Sequence, residues 1–206
     1  MGQKVNPIGY RIGISEAASS RWFASPNDYS DRMLQDYQIR KLLEKELASA
    51  GLVKVVIERS VNAIKLYLRV AKPGVVIGKG GSSLEALKKK IEALVGNTKK
   101  ANKKDRIQID LNVEAVRTPE LSAKLVAERI SGQLVKRFPH RRAVNQAIEK
   151  ATQAGAKGIK IQLSGRIGGA EIGRTEKYFE GSIPTQTLRA QIDYYETPVA
   201  TKSGYV

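Results

Sequence analysis

The fold is decided by one glycine-rich stretch, Lys72-Pro73-Gly74-Val75-Val76-Ile77-Gly78-Lys79-Gly80-Gly81, which stands directly before a predicted helix. Glycine allows a backbone to bend tightly and to approach another chain closely. The N–H groups at the start of the following helix favour anions, and Lys79 places a cation at the tip of the loop. The stretch therefore indicates a loop that contacts a phosphodiester backbone.

Two kinds of phosphate-contacting loop are compatible with this composition. A nucleotide-binding P-loop has the pattern G-x-x-x-x-G-K-[ST]. Here the interval from Gly74 to Gly78 is one residue short, and Gly80 stands where the magnesium-binding hydroxyl is needed. The other kind is the KH domain, in which a G-x-x-G loop clamps a nucleic-acid backbone. The spacing favours the KH domain over the P-loop. Because a bare G-x-x-G is a weak signal, the choice between the two depends on the secondary-structure elements around the loop.

The surrounding elements have the order of a KH domain of type II. Hydrophobic periodicity predicts a helix over 31–49, strands at 53–57 and 64–70, a helix from Ser82 to Gly96 and a strand over 106–113. The order helix, strand, strand, glycine-rich loop, helix, strand is the arrangement of prokaryotic KH domains. We therefore assign residues 29–116 to a KH type II domain and residues 1–28 to a basic, extended N-terminal arm.

The second half of the chain, residues 117–206, predicts another domain. Thr118 and Pro119 have the character of an N-cap and first helical residue, and a second helix is predicted from Pro139 to Ala154. Period-two patterns predict strands at 159–163, 175–180 and 188–194. The fold class is thus α+β: a KH type II domain followed by a second α+β domain of two helices packed on a small, mostly antiparallel sheet.

Composition narrows the function. The net charge is +16, from 36 Lys and Arg against 20 Asp and Glu among 206 residues, and such a charge favours a polyanionic partner. The chain has no cysteine and a single histidine, His140, which excludes a thiolate zinc site, a disulfide framework and a multi-histidine metal site. With no membrane span or signal-peptide core, we expect a cytoplasmic, non-enzymatic RNA-binding protein without metal, cofactor, membrane or small-molecule substrate.

Three clusters are candidate RNA contacts. The KH loop and its helix contribute Gly78, Lys79, Gly80, Gly81, Lys88 and Lys89. Arg141, Arg142 and Asn145 lie at a predicted helix start, where cations oppose the helix macrodipole. Arg166, Arg174 and Lys177 accompany the glycine-rich segment from Ser164 onward. For the last two clusters an ordinary solvated face and a hairpin with incidental arginines stay open. Aromatic residues are only 6% of the chain, so backbone and shape contacts are expected to outweigh base stacking.

Several segments resemble a known family in the right order over nearly the whole chain. They are Gly2-Gln3-Lys4-Val5-Asn6-Pro7, the glycine-rich stretch ending at Gly81, Pro119 to Ala127, Gly155 to Lys160, Ser164 to Glu176, and Thr187 to Tyr194. Together they resemble the third protein of the small ribosomal subunit, bacterial type. This resemblance is far more specific than the KH loop alone.

The resemblance implies a place in the head of the small subunit, bound to ribosomal RNA beside the tenth and fourteenth proteins of that subunit. It also implies that the protein lines the channel through which messenger RNA enters and helps to unwind messenger structure without ATP. The basic positions of that channel match Arg141 and Arg142, whereas the third falls on Asn145, which weakens the implied unwinding role. The ribosomal-RNA contacts expected from the resemblance and the basic segments are Gly2, Gln3, Lys4, Arg11, Arg166, Arg174, Lys177 and Arg189.

The sequence departs from the family pattern at two places. The Lys-rich loop 97–105 is longer than usual and could reach additional RNA. The family usually continues beyond Val206 with another strand, so we expect a sheet short of an edge strand, or a trimmed chain.

Two alternative functions stay open. A free regulatory KH protein would bind single-stranded messengers but needs no second domain. A helicase or nuclease would need a Walker motif or clustered carboxylates, for which the sequence gives no support.

Overall fold

The computed structural model describes residues 3–96 and 108–206, so Gly2 and the predicted 97–105 loop lie outside the described residues. The helices of the described residues are α1 (Pro7–Arg11), α2 (Pro26–Glu46), α3 (Pro73–Ile77), α4 (Ser82–Gly96), α5 (Ala123–Val135) and α6 (His140–Gln153). The strands are β1 (Ser20–Arg21), β2 (Leu52–Arg59), β3 (Ala63–Val70), β4 (Gln108–Ala115), β5 (Gly158–Gly165), β6 (Arg174–Gly181), β7 (Ala200–Thr201) and β8 (Gly204–Tyr205).

The chain divides into two compact units. One unit is Ala18–Arg117, and the other joins the N-terminal residues through Ala17 to Thr118–Val206. The predicted arm 1–28 is therefore not a separate body, because its first part folds with the C-terminal residues and its second part with the KH elements. β1 pairs in parallel with β2, through Ser20 opposite Ile57.

The first unit has the element order α2, β2, β3, α3, α4, β4, which confirms the predicted KH type II fold. Its sheet has the order β1-β2-β3-β4, with β2 and β3 antiparallel and β4 parallel to β3. The inward residues of β3 alternate regularly, because Ile64, Leu66 and Leu68 are buried whereas Lys65 and Arg69 are exposed. Ile39 and Leu43 of α2 and Leu87 and Ile91 of α4 cover this face, so one core holds both helices against the sheet.

α2 begins earlier than the sequence predicted, at Pro26 rather than near 31. Pro at the first helical position lacks only an N–H that would be unpaired there anyway. Further along α2, the buried Asp36 accepts hydrogen bonds from Trp22 Nε1 at 2.7 Å and from Arg59 Nε at 2.8 Å. This carboxylate ties the N-terminal segment and β2 to the helix, because a buried charge is stable only when paired.

The second unit packs α5 and α6 on the β5–β6 hairpin, which confirms the predicted two helices on a small antiparallel sheet. Val144 of α6 and Ile167 after β5 are fully buried in its core, together with Leu163. The first helix begins later than predicted. Thr118 and Pro119 start a short 3-10 turn, and α5 begins at Ala123 because Ser122 has an extended backbone.

The predicted strand at 188–194 is wrong. No strand occurs between Gly181 and Ala200, and this segment instead folds around the fully buried side chain of Arg11. The Arg11 guanidinium donates to the carbonyl oxygens of Thr185, Thr187 and Ala190 at 2.8 to 3.0 Å. The segment pairs with no strand of the described residues, so the period-two pattern of Leu188, Ala190 and Ile192 was misleading.

Candidate RNA interface

The KH loop joins α3 to α4 by a sharp reversal. Gly78, Gly80 and Gly81 all have positive φ, at 69°, 61° and 83°, a region that L side chains rarely adopt. A Cβ on Gly78 would lie 2.3 Å from Ser83 Oγ, so both conformation and space require glycine there. The loop therefore exposes backbone between two helices, as a clamp on a phosphodiester backbone needs.

The cations of the KH loop flank differ in exposure. Lys89 of α4 is exposed and Lys88 is half-buried. The neighbouring Lys90 is paired with Glu46 Oε1 at 2.8 Å and so is partly neutralised. Lys89 is thus the described side chain of this flank most open to a phosphate.

The predicted patch Arg141, Arg142 and Asn145, named here the entrance patch, lies on the first turn and a half of α6. All three residues are exposed. The N-cap, Pro139, makes no side-chain cap hydrogen bond, and the first turn of α6 contains no acidic residue. Two arginines are unfavourable at this end of the helix dipole, and an RNA phosphate would relieve that repulsion.

A hydrogen-bonded network fixes the start of α6 to the hairpin. Glu176 Oε2 accepts from Tyr178 Oη at 2.6 Å and lies 3.0 Å from His140 Nε2, and Glu176 Oε1 accepts from Arg174 Nε at 2.7 Å. The hydrogen bond from Tyr178, followed by those from Arg174 and His140, lowers the pKa of Glu176 to about 2. The carboxylate is therefore ionised and holds Arg174, His140 and the first turn of α6 in place.

Tyr178 carries this network toward the entrance patch. Its hydroxyl interacts with Arg141 as well as with Glu176, and desolvation and the Glu176 carboxylate raise the pKa of Tyr178. The family resemblance implies that Arg174 contacts ribosomal RNA. The structure shows that its Nε already binds Glu176 while half of its side chain remains exposed, so Arg174 has both a structural contact and free surface.

The glycine-rich segment after β5 forms a rigid turn. Ile167 anchors it in the core, and Arg166 Nε donates to Ala170 O at 2.8 Å. Gly165 has φ of 129°, and a Cβ there would lie 2.4 Å from Tyr205 O, so the C-terminal segment packs directly on this residue. The arginine at position 166 is therefore presented from a fixed backbone.

The remaining predicted ribosomal-RNA contacts are of two kinds. Gln3, Lys4, Lys177 and Arg189 are exposed, as such contacts require. Arg11 is the exception, because its side chain is 0% exposed and all its described hydrogen bonds go to backbone carbonyls. A direct contact of Arg11 with RNA is inconsistent with this structure, and the residue instead holds 184–190 in place.

One cation that sequence reasoning missed is Lys160 of β5. It is exposed, and the positive charge of Lys4, with a smaller effect of Lys177, lowers the pKa of Lys160. The pairing of Lys160 with Phe179 and of Gln162 with Lys177 brings these residues to one face of the hairpin. The alternation Ile159, Ile161, Leu163 already predicted that Lys160 points away from the core, but the sequence could not show which residues it meets.

The described residues offer no competing site. They contain no group of three or more His, Asp or Glu that could hold a metal ion, and none of their helices is long and apolar enough to cross a membrane. A helix–glycine loop–helix on a four-stranded sheet, with exposed cations on both units, defines the class as a KH-type RNA-binding protein.

Comparison with known proteins agrees with this class and makes it specific. Residues 38–121 match the KH domain family, and residues 130–206 match the ribosomal protein S3, C-terminal domain. The small ribosomal subunit protein uS3 of Caldicellulosiruptor saccharolyticus is 48% identical over 206 residues, covering 100% of this chain and 89% of the relative. The uS3 of Clostridioides difficile is 51% identical over 207 residues, which cover 100% of this chain and 73% of that relative. The uS3 of Idiomarina loihiensis is 44% identical over 206 residues, which cover 100% of this chain and 87% of that relative.

The chain belongs to the family of the small ribosomal subunit protein uS3. This family consists of ribosomal proteins and not of enzymes. The resemblance drawn from the sequence is thereby confirmed.

Proposed function

We propose that this protein is a structural constituent of the small ribosomal subunit that binds ribosomal RNA in the head and helps to form the channel through which messenger RNA enters. The family membership and the KH fold support the coarser part, a ribosomal RNA-binding role. The proposed role in the messenger channel depends on the entrance patch. Arg141 and Arg142 are exposed at a helix start that has no acidic residue in its first turn.

The entrance patch acts on messenger by electrostatics alone. Arginines bind phosphates through planar, bidentate donors that hold a strand in register. A patch that holds an unpaired strand lowers the free energy of the open form of a messenger hairpin, so it assists unwinding without ATP. Asn145 supplies no charge, so the positive charge of the entrance patch comes from Arg141 and Arg142.

Ribosomal RNA is held by the other exposed cations. In the second unit, Lys4, Arg166, Arg174, Lys177 and Arg189 are exposed to solvent. In the KH unit, the glycine loop and Lys89 form a second RNA-binding site. This site binds either ribosomal RNA or messenger RNA. The tenth and fourteenth proteins of the small subunit are the proposed protein neighbours in the head.

The test combines assembly with unwinding. Tagged protein sediments through a sucrose gradient at low and then high salt, and we expect it to migrate with the small subunit at both. Subunits that carry R141A/R142A should assemble normally but translate through a stable messenger hairpin several-fold more slowly, while an unstructured messenger is translated at the normal rate.

A matched control removes the same charge from the last turn of α6, at Lys150, and from the segment before β5, at Lys157. K150A/K157A replaces two exposed lysines of the same unit and should leave translation through the hairpin unchanged. Equal slowing by both variants would contradict a role for the entrance patch, and sedimentation as free protein would leave a free KH regulator as the better account.

A further inference from the structure

The outer face of the β5–β6 hairpin is a polar surface on which only Lys177 has been given a role, as a general ribosomal-RNA contact. Along it the paired residues are Ser164 with Thr175, Gln162 with Lys177 and Lys160 with Phe179. The alternate residues Ile159, Ile161 and Tyr178 pack against the core on the opposite face, and neighbours along a strand point to opposite sides of a sheet. All six outer residues are exposed.

An aromatic ring stands on this face without cover. Phe179 is 75% exposed and pairs directly with Lys160, a long cationic side chain. Single exposed apolar side chains are common on protein surfaces, so the ring indicates a ligand only together with the cations that lie on the same face. None of the six outer residues is acidic, although Glu149 and Glu180 line a neighbouring groove together with Phe179.

Cations converge beside the ring. Lys160 and Lys177 lie on the same face of the hairpin, because Lys160 pairs with Phe179 and Lys177 pairs with Gln162. The charges of Lys4 and Lys177 both act on Lys160. Together these like charges lower the pKa of Lys160, with the charge of Lys4 having the largest effect. Three lysines that repel one another in the free protein would be stabilised by phosphate groups placed between them.

We propose that this face binds an unpaired RNA nucleotide, whose base stacks on Phe179 and whose flanking phosphates contact Lys4, Lys160 and Lys177. An aromatic ring with flanking cations on a β-surface is how many proteins hold single-stranded nucleic acid, because every base has a face that can stack. The hydroxyls of Ser164 and Thr175, whose oxygens lie 3.1 Å apart, extend the polar face along the strand. The proposal rests on the RNA-binding role and adds a stacking contact to it.

The test uses the full chain and a short, uridine-rich RNA that carries one 2-aminopurine, a base whose fluorescence falls on stacking. F179A should bind this RNA about tenfold more weakly and should lose the fluorescence change, while F179W keeps both. K160A should weaken binding and reduce the dependence on salt by about one phosphate contact. F179A should melt at the wild-type temperature, since the ring is exposed.

Failure of this proposal is distinguishable from failure of the proposed function. Wild-type affinity and wild-type fluorescence change in F179A would overturn the stacking site, whatever the entrance patch does. Wild-type RNA binding by F179A, together with loss of its incorporation into the subunit, would overturn it in favour of a protein contact. Conversely, weakened RNA binding by F179A with normal hairpin translation by R141A/R142A would support this site and contradict the entrance patch.

Discussion

At the scale of single residues, charge does not by itself indicate an RNA contact. Arg11 and Arg189 both read as RNA-binding cations in the sequence, yet Arg189 is exposed and Arg11 is fully buried. A buried guanidinium is tolerated because its five donors fit the carbonyls that surround it. Nothing in the local sequence of Arg11 predicts this, because its acceptors come from residues 184–190.

Replacing Arg11 should therefore affect stability more than RNA binding. Arg11→Ala leaves several carbonyls without a donor, so we expect a loss of about 2–4 kcal/mol in the free energy of unfolding of the second unit. Urea denaturation, monitored by circular dichroism, measures this loss in the free energy of unfolding. Arg189→Ala, at an exposed site, is the control and should change stability by less than about 0.5 kcal/mol. Equal stability of both variants would contradict the structural role of Arg11.

Glu176 should make stability depend on pH in a defined window. Its pKa is about 2 in the folded protein against an ordinary 4.5, so in acid the unfolded chain takes up the proton first. The stabilisation that the carboxylate provides is complete above pH 4.5 and is lost as the pH falls toward 2. Glu176→Gln should be less stable than wild type at pH 5 to 6, and thermal melts should converge near pH 2.

Exposed Glu171 serves as the control for that series. Glu171→Gln should follow the wild-type melting temperature at every pH, since no network depends on it. If Glu176→Gln also follows the wild type throughout, the carboxylate does not hold His140 and Tyr178 as described.

At the scale of elements, the KH loop shows what glycine spacing can predict. The G-x-x-G pattern predicted a glycine-rich loop before α4, and Gly78, Gly80 and Gly81 in it all have positive φ. The short helix α3 before the loop was not predicted, because Pro73–Ile77 spans a single turn with no periodicity to detect.

Gly78→Ala should damage this loop. A Cβ there meets Ser83 Oγ at 2.3 Å and the backbone has φ of 69°, so we expect a loss of about 2 kcal/mol in the stability of the KH unit and several-fold weaker RNA binding. Gly74→Ala is the control, because that position has ordinary φ and open space. Differential scanning calorimetry and a filter-binding titration measure both effects, and equal behaviour of the two variants would contradict the loop geometry.

The wrong strand prediction at 188–194 shows a limit of hydrophobic periodicity. Helices α4 and α6 and strands β3 and β5 were predicted because each buries one face of a regular pattern. The strand predicted at 188–194 has the same pattern, but its carbonyls at Leu188 and Ala190 accept from the side chains of Ser15 and Arg11. Periodicity reports which residues are apolar, and it does not report where the backbone finds its partners.

At the scale of the whole molecule, the division of the chain was the least predictable feature. The residues through Ala17 fold with Thr118–Val206, across about a hundred intervening residues. Asn6 caps α1 by accepting from Ile8 N and Gly9 N, and α1 carries Arg11 into the second unit. An N-terminal segment rich in Gly and Ser is read as an arm in any local analysis, since the contacts that order it are non-local.

Removal of residues 1–17 should therefore destabilise the second unit and spare the first. A fragment of residues 18–117 contains the whole KH core and should unfold cooperatively by itself. The chain without residues 1–17 should show a lowered transition for residues 118–206 only. Hydrogen exchange assigns each transition to its unit, and lowered protection of β2 and β3 in the shortened chain would contradict the division.

Crosslinking tests directly whether the entrance patch contacts messenger RNA. Small subunits that contain this protein are programmed with messengers that carry 4-thiouridine at successive positions downstream of the decoding site. We expect, at some of these positions, a crosslink to the α6 peptide that contains Arg141 and Arg142, and its loss in R141A/R142A but not in K150A/K157A. Crosslinks to other proteins at every position, with none to α6, would contradict the account.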